Sequence, residues 1–218
     1  MARTSGSSGP ATFEAIRKAG LRLIYRYGYE AMTLRQLAGE IGLVQGSLYN
    51  HIATKQDLLF RLISDHMQHL LQNVDAALDG IEDPSKRLAA FVEFHVTYHI
   101  DRKQEVFISY SELRSLDPNN FNAIVTMRRD YEQKLVDIIE SGAETGAFAI
   151  SDAQAVAFGI LSMLSGICTW FNPKGRLSKD EVTAIFVGMV QGAVHDQSAG
   201  TPDKHKPASA RPRSKHVA

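Results

Sequence analysis

Residues 33–52 read Thr-Leu-Arg-Gln-Leu-Ala-Gly-Glu-Ile-Gly-Leu-Val-Gln-Gly-Ser-Leu-Tyr-Asn-His-Ile. Thr33 with Gln36 three residues later has the spacing of a capping box, in which the two side chains satisfy the first free backbone groups of a helix. Leu34, Leu37, Ala38 and Ile41 then recur at helical spacing. Gly42 ends this helix after about two turns, and a second short segment follows from Gln45 to Ile52. Leu37, Ala38, Ile41, Leu43 and Leu48 are placed to meet across the crossing, with Ala38 small where the second helix comes close. The other side of that helix carries Gln45, Ser47, Tyr49, Asn50 and His51. These side chains form hydrogen bonds and include no carboxylate. A helix entering a major groove needs this chemistry, because base edges offer donors and acceptors while phosphates repel anions. An ordinary helical hairpin with a solvated polar face would show the same pattern.

The neighbouring segments are helical too. Upstream, Phe13, Ile16, Ala19, Gly20, Leu23 and Ile24 form a stripe, and Gly28 suits a helix C-terminus, where positive φ is often needed. Downstream, Thr54 with Asp57 opens a helix over 55–78. Further helices are expected over 85–100, 105–116, 121–141 and 153–171, and a last one to His195 opens on Ser178 with Glu181. Residues 80–84 read as a hinge-like loop and Asp117-Pro118-Asn119-Asn120 as a turn. β-branched residues are scattered rather than alternating, so no sheet is expected. The expected fold is all-α, with about nine helices.

Composition sets the outer bounds. The chain has 218 residues, 44% of them hydrophobic, with 24 basic and 24 acidic side chains. A neutral total excludes a uniformly basic nucleic-acid binder, but the charge is unevenly spread. Residues 1–60 hold 7 basic and 4 acidic side chains, residues 61–195 hold 12 and 18, and residues 196–218 hold 5 and 2. A basic front on an acidic body suggests two tasks for two regions. The single cysteine, Cys168, excludes an intrachain disulfide and fits a reducing, cytoplasmic setting. Residues 1–9 are rich in Ser and Gly without an apolar run, so a disordered arm rather than a secretory signal is expected. The tail, 197–218, reads as disordered and basic. Residues 155–171 lack charge and reach the lower edge of a membrane span. Gly159, Ser162, Ser165 and Gly166 suit close helix packing, so a buried or dimer helix is expected there and no membrane.

The longer run from Gly28 to Leu59 closely resembles the N-terminal DNA-binding region of TetR-family transcriptional regulators. Gly28, Thr33, Leu37-Ala38, Gly42, Gly46, Leu48-Tyr49, His51, Lys55 and Leu58-Leu59 carry the likeness. The resemblance covers residues 10–60 well, and beyond them matches only in helix number and layout. It implies a three-helix helix-turn-helix domain over 10–56 and a helical ligand-binding and dimerisation domain over 57–196. It implies double-stranded operator DNA as partner, read by a homodimer, and a small-molecule effector, with no enzyme activity, cofactor or metal. Carried over by position, Thr33, Arg35 and Lys55 would meet phosphates. Gln45, Ser47 and Asn50 would face bases, with Gly46 allowing close approach, and Tyr49 and His51 would reach the backbone or a thymine methyl. Val44 departs from the family's usual capping residue and cannot cap a helix start. Ile52 stands for the usual Phe.

Two features of the body fit these implications. Small residues repeat near every fourth position: Ala155, Gly159, Ser162 and Gly166, then Ala184, Gly188 and Gly192. Each set shares a helix face, which suits a dimer seam or packing within the chain. Polar groups also interrupt apolar stripes, namely His95, Tyr98 and His99 on one helix, and Arg128 beside Tyr131 on another. An inward arginine requires a partner, either a carboxylate such as Glu93, Glu105 or Glu112, or an anionic ligand. Phe107, Tyr110, Met163 and Trp170 are candidate pocket walls. The combination fits a ligand-responsive repressor released by a largely apolar effector with an anionic group, for example an acyl-CoA. The alternatives are a metal-dependent helical enzyme using His95 and His99, four residues apart, or an architectural protein that binds DNA without sequence preference.

Overall fold

Six helix starts rest on side-chain caps, and these fix where the chain turns. Thr33 and Gln36 form the full capping box, with Gln36 N donating to Thr33 Oγ1 at 3.2 Å and Thr33 N to Gln36 Oε1 at 2.9 Å. Thr54, Asp83, Asp117 and Asp152 each accept from a backbone N–H three residues on, and Ser178 and Glu181 form a second box. The computed structural model describes residues 9–195. They form α1 (Gly9–Tyr27), α2 (Leu34–Glu40), α3 (Gln45–Leu48), α4 (Lys55–Leu78), α5 (Pro84–Asp101), α6 (Lys103–Ser111), α7 (Pro118–Glu144), α8 (Ala153–Ser165), α9 (Ile167–Trp170) and α10 (Lys179–His195), with a 3-10 turn at Leu113–Ser115. No strand occurs among the described residues. The expected arm and tail lie almost wholly outside them, although Gly9 already opens α1.

The front of the molecule is α1–α3 laid against the start of α4. Ile16, Ala19 and Ile24 meet Leu37, Leu48, Leu58 and Leu59 in its core. Gly20 lets α4 come close, since a Cβ there would lie 3.1 Å from a methyl of Leu58. Behind it, α5 is the central rod, flanked by α4, α7, α8 and α10. Its inward residues Leu88, Phe91, Val92 and Val96 are fully buried, and one continuous apolar cluster joins front and body.

Three boundaries differ from the sequence expectation. Asp117-Pro118 is a helix start rather than a turn. Asp117 Oδ1 accepts from Asn120 N at 3.0 Å, and Pro118 occupies the first helical positions, where its missing N–H costs nothing. The expected 105–116 helix begins at Lys103 and ends at Ser111, followed by the 3-10 turn. The apolar 153–171 run breaks at Gly166 into α8 and α9. Counted as one, these two leave nine α-helices among the described residues. By length and composition the run 153–170 resembles a membrane span. Here Ala157, Ile160, Leu164 and Ile167 face the protein core while other residues of the run remain exposed.

Candidate nucleic-acid interface and effector cavity

Gly42, at φ 70°, turns the chain from α2 into α3, a position that favours glycine. Leu48 and Ile52 anchor α3 and the turn after it in the core, both essentially fully buried. Their anchoring directs Gln45, Gly46, Tyr49 and Asn50 into solvent, while Ser47 and His51 are half-buried. Tyr49 is 49% exposed, and Gln45 Nε2 lies 3.5 Å from its hydroxyl. Val44 provides no side-chain cap and is itself exposed. The nearest acidic side chains are engaged elsewhere: Glu40 with Arg22 at 2.9 Å, and Asp57 with Arg61 at 2.8 Å. The exposed face is therefore polar and free of competing negative charge. Thr33 and Arg35 are exposed at the start of α2. Lys55 opens α4 and makes a structural contact there. Its amine donates to Glu30 O at 3.0 Å and lies 4.3 Å from the Tyr29 ring centre, which ties α4 to the loop after α1. An ammonium has three donors, so this bond leaves others for a phosphate.

The front end is latched to the body at two points. Tyr29 N donates to Glu112 Oε1 at 3.3 Å. Gln56, near the start of α4, donates from Nε2 to Ser115 O at 2.5 Å and accepts from Asp117 N at 3.2 Å. Both latches grip the segment that ends α6.

The same C-terminal end of α6 also forms one wall of a cavity of about 80 Å³. His66, Met67 and Leu70 of α4, His95 and His99 of α5, Ser109 and Tyr110 of α6, Arg128, Tyr131 and Glu132 of α7, and Leu161 of α8 line it. His95 Nδ1 lies 3.0 Å from the Tyr131 hydroxyl, and His99 Nδ1 lies 2.8 Å from His95 O. Burial, more than any charge, pulls His66 down to about 3 and His99 to about 4, and holds His95 well below the usual histidine value. All three rings are neutral at pH 7. His95 Nε2 and His66 Nδ1 are buried without a hydrogen-bond partner among the described residues.

The sequence candidates separate clearly. His95, His99, Tyr110, Arg128 and Tyr131 reach the cavity, whereas Phe107, Trp170 and Met163 do not line it. Phe107 packs edge-on against Tyr25 of α1 at 5.1 Å, and Trp170 stacks on Phe186 and stays 54% exposed. Met163 packs, half-buried, against the core. Tyr98 lies behind the wall, its hydroxyl donating to His66 O at 3.3 Å. Arg128 has no carboxylate within ion-pair distance among the described residues, contrary to the expected pairing with Glu93, Glu105 or Glu112. Instead its Nη2 donates to Ser109 O at 2.7 Å, and the guanidinium covers the Tyr110 ring. His95 and His99 stack at 3.7 Å with planes 10° apart, so their in-plane lone pairs run parallel and do not converge on one ion. Among the described residues no His, Cys, Asp and Glu cluster of three or more has the geometry to hold a metal.

The small-residue rows face outward. Ala155, Gly159 and Ser162 on α8 and Ala184, Gly188 and Gly192 on α10 are exposed, and Gly166 is half-buried at the helix break. A Cβ added at Gly159, Gly188 or Gly192 would meet nothing within 4 Å. These three glycines therefore open onto free space rather than onto a neighbour within the chain. Phe158, Ile185 and Met189 lie among them, each about half exposed.

A helix-turn-helix front end latched to an all-helical body around a buried cavity is the architecture of a one-component regulator. Residues 16–62 match the family described as bacterial regulatory proteins of the tetR family, and residues 82–194 match the tetracyclin repressor-like C-terminal domain. The chain belongs to the TetR family and is a ligand-responsive, DNA-binding transcriptional regulator. It is 28% identical over 182 residues to the HTH-type transcriptional repressor KstR2 of Mycolicibacterium smegmatis, covering 82% of this chain and 86% of that one. A tetR-family regulatory protein from Rhodococcus RHA1 matches at TM-score 0.80 and 28% identity, over 87% of this chain and 98% of that chain. AibR, solved with isovaleryl coenzyme A and operator DNA, matches at TM-score 0.76 and 27% identity, over 81% and 96%.

Proposed function

We propose that the protein is a cytoplasmic repressor that binds a near-palindromic operator as a homodimer and is released when an effector fills the cavity. The exposed, carboxylate-free face over residues 45–51 carries this reading. Residues 10–56 act as the reading head and 57–196 as the sensing and pairing body. The open rows on α8 and α10 form a four-helix seam with a second copy. Two-fold pairing sets two heads against half-sites roughly 34–36 Å apart, one turn of duplex. Gln45, Ser47 and Asn50 read base edges, with Gly46 allowing close approach, while Tyr49 and His51 contact the backbone or a thymine methyl. Thr33, Arg35 and Lys55 hold phosphates.

The effector acts through α6. Arg128 grips Ser109, and within one turn of it Glu112, with Ser115 just beyond, grips the head. A ligand that draws Arg128 away shifts α6 and hence the head. The shift in operator affinity equals the ligand's difference in affinity for the two forms, and operator weakens ligand binding by the same factor. The known ligand of AibR and the name of KstR2 support a repressor that responds to a metabolite.

Selection of bound duplexes from random DNA tests the reading directly, with a symmetric pair of half-sites as the expected product. Replacing Gln45 or Asn50 by Ala should then change base preference at one position per half-site, by about 1–3 kcal/mol. Unchanged preference in both variants would remove these side chains from base recognition. Lys55→Ala should act differently. It should weaken binding to every duplex and lower the salt slope by about one unit. It should also cost the head about 1 kcal/mol in urea unfolding, through the lost Tyr29 and Glu30 contacts. A salt slope equal to that of the unaltered protein would leave Lys55 with its structural role alone.

A further inference from the structure

Among the described residues, Arg128 is the only permanent cation lining the cavity. Its Nη2 is engaged by Ser109, and its remaining guanidinium donors have no protein hydrogen bond among the described residues. Burial pulls its pKa down, which marks a charge that lacks full compensation. Glu132 acts on it only through its field and forms no ion pair with it. Two buried ring nitrogens, His95 Nε2 and His66 Nδ1, belong to the same wall and also lack partners. Their residues are 1% and 5% exposed, so bulk water does not satisfy them. A buried polar atom left unsatisfied is costly, and a cavity lined by several such atoms is built for a polar guest.

The charge balance selects the guest. Arg128 offers one positive charge beside neutral imidazoles, and Glu132, which forms no ion pair with it, opposes any second negative charge on a guest. A dianion such as a phosphate monoester would face Glu132 with only one cation to offset it. A neutral guest would leave Arg128 uncompensated. The planar guanidinium edge suits a planar carboxylate. Met67, Leu70 and Leu161 provide an apolar side for the rest of the molecule. A volume of about 80 Å³ lies below the usual range for ligand pockets and excludes a nucleotide-sized group.

We infer that the cavity binds a compact monocarboxylic acid, its carboxylate accepting from the Arg128 guanidinium and from His95 Nε2–H. The inference rests on the regulator reading and specifies its effector. The bound acid competes with Ser109 for Arg128, and through that contact it reaches α6.

Calorimetric titration with hexanoate and phenylacetate, each beside its primary amide and its coenzyme A thioester, tests this. At least one acid should bind at least tenfold more tightly than its amide, as loss of a charge-assisted bond implies. Arg128→Met should weaken that acid by about ten- to a hundredfold, and Arg128→Lys should restore part of the loss. Should Arg128→Met fail to fold, the acid–amide comparison on the unaltered protein decides alone. Equal binding of acid and amide, binding of the thioester only, or no binding of either acid at millimolar concentration overturns the inference. The same preparations, titrated onto a selected duplex without ligand, test the regulator reading separately. Loss of duplex binding there overturns that reading, whatever the acids do.

Discussion

Gly188→Glu should separate the dimer and abolish tight operator binding while leaving each protomer folded. A Cβ at Gly188 meets nothing within 4 Å, so the substitution disturbs no contact within the chain. In the proposed pairing the face that carries Ile185, Gly188 and Met189 would meet its two-fold copy. Two glutamates would then lie close together in a dry seam, where like charges repel strongly. A separated head binds through one half-site only. Losing the linked second site removes about 10²- to 10⁴-fold in affinity, the usual scale for tethered pairs. Sedimentation should give one protomer's mass at micromolar concentration, with operator affinity falling in parallel. Gly188→Ala is the matched control, because a methyl adds no charge. A variant that stays paired and keeps its affinity would place the seam elsewhere.

Acid should destabilise the body through its buried histidines. His66 titrates near 3 and His99 near 4 in the folded chain, against about 6.5 when unfolded. Between those values the unfolded chain binds more protons, so stability is fully present above about pH 6.5 and falls as pH drops toward 4. Each histidine contributes about 1.4 kcal/mol per pH unit in that window. From pH 6.5 to 5 the two together remove about 3 kcal/mol, and His95 adds in the same direction. Every charged group acting on His66 has the same sign: His99, Arg102, Arg128 and His69 all disfavour its protonation. Glu14, held near 2 chiefly by its hydrogen bond from Arg17, titrates below this window. Urea unfolding at pH 7 and pH 5 should show the loss, and His66→Phe should flatten the slope by about one histidine's share. Equal stability at both pH values would mean that these rings are not buried and neutral.

The head was legible in the sequence because its signals are local. The Thr33 and Gln36 box, the turn at Gly42 and the apolar spacing of Leu37 and Leu48 all lie within one short run. The cavity was half legible. His95, His99 and Arg128 stood out as polar groups in apolar stripes, the pattern of a wall facing inward. His66 carried the same signal, falling three residues after Ile63 and four before Leu70, but was missed among many leucines. Ser109 and Glu132 gave none, since a polar residue on an amphipathic helix ordinarily reads as solvent-facing. Phe107 and Trp170 show the converse limit. An aromatic ring announces apolar contact without saying against which neighbour, and Tyr25 and Phe186 are far away in sequence. Arg128 turned on the same issue: its need for a partner was evident, but only the fold shows Ser109 in that place.

The latch at the end of α6 bears on how such proteins can be rebuilt. Glu112 and Ser115 hold the head through Tyr29 N and the Gln56 side chain. A chimera joined at residue 56 that imports a foreign front without a glutamine there keeps one hook and loses the other. Its new specificity would then be deaf to the old signal. Transplanting the junction as a unit, both hooks with their catches, is what carries responsiveness from one scaffold to the next.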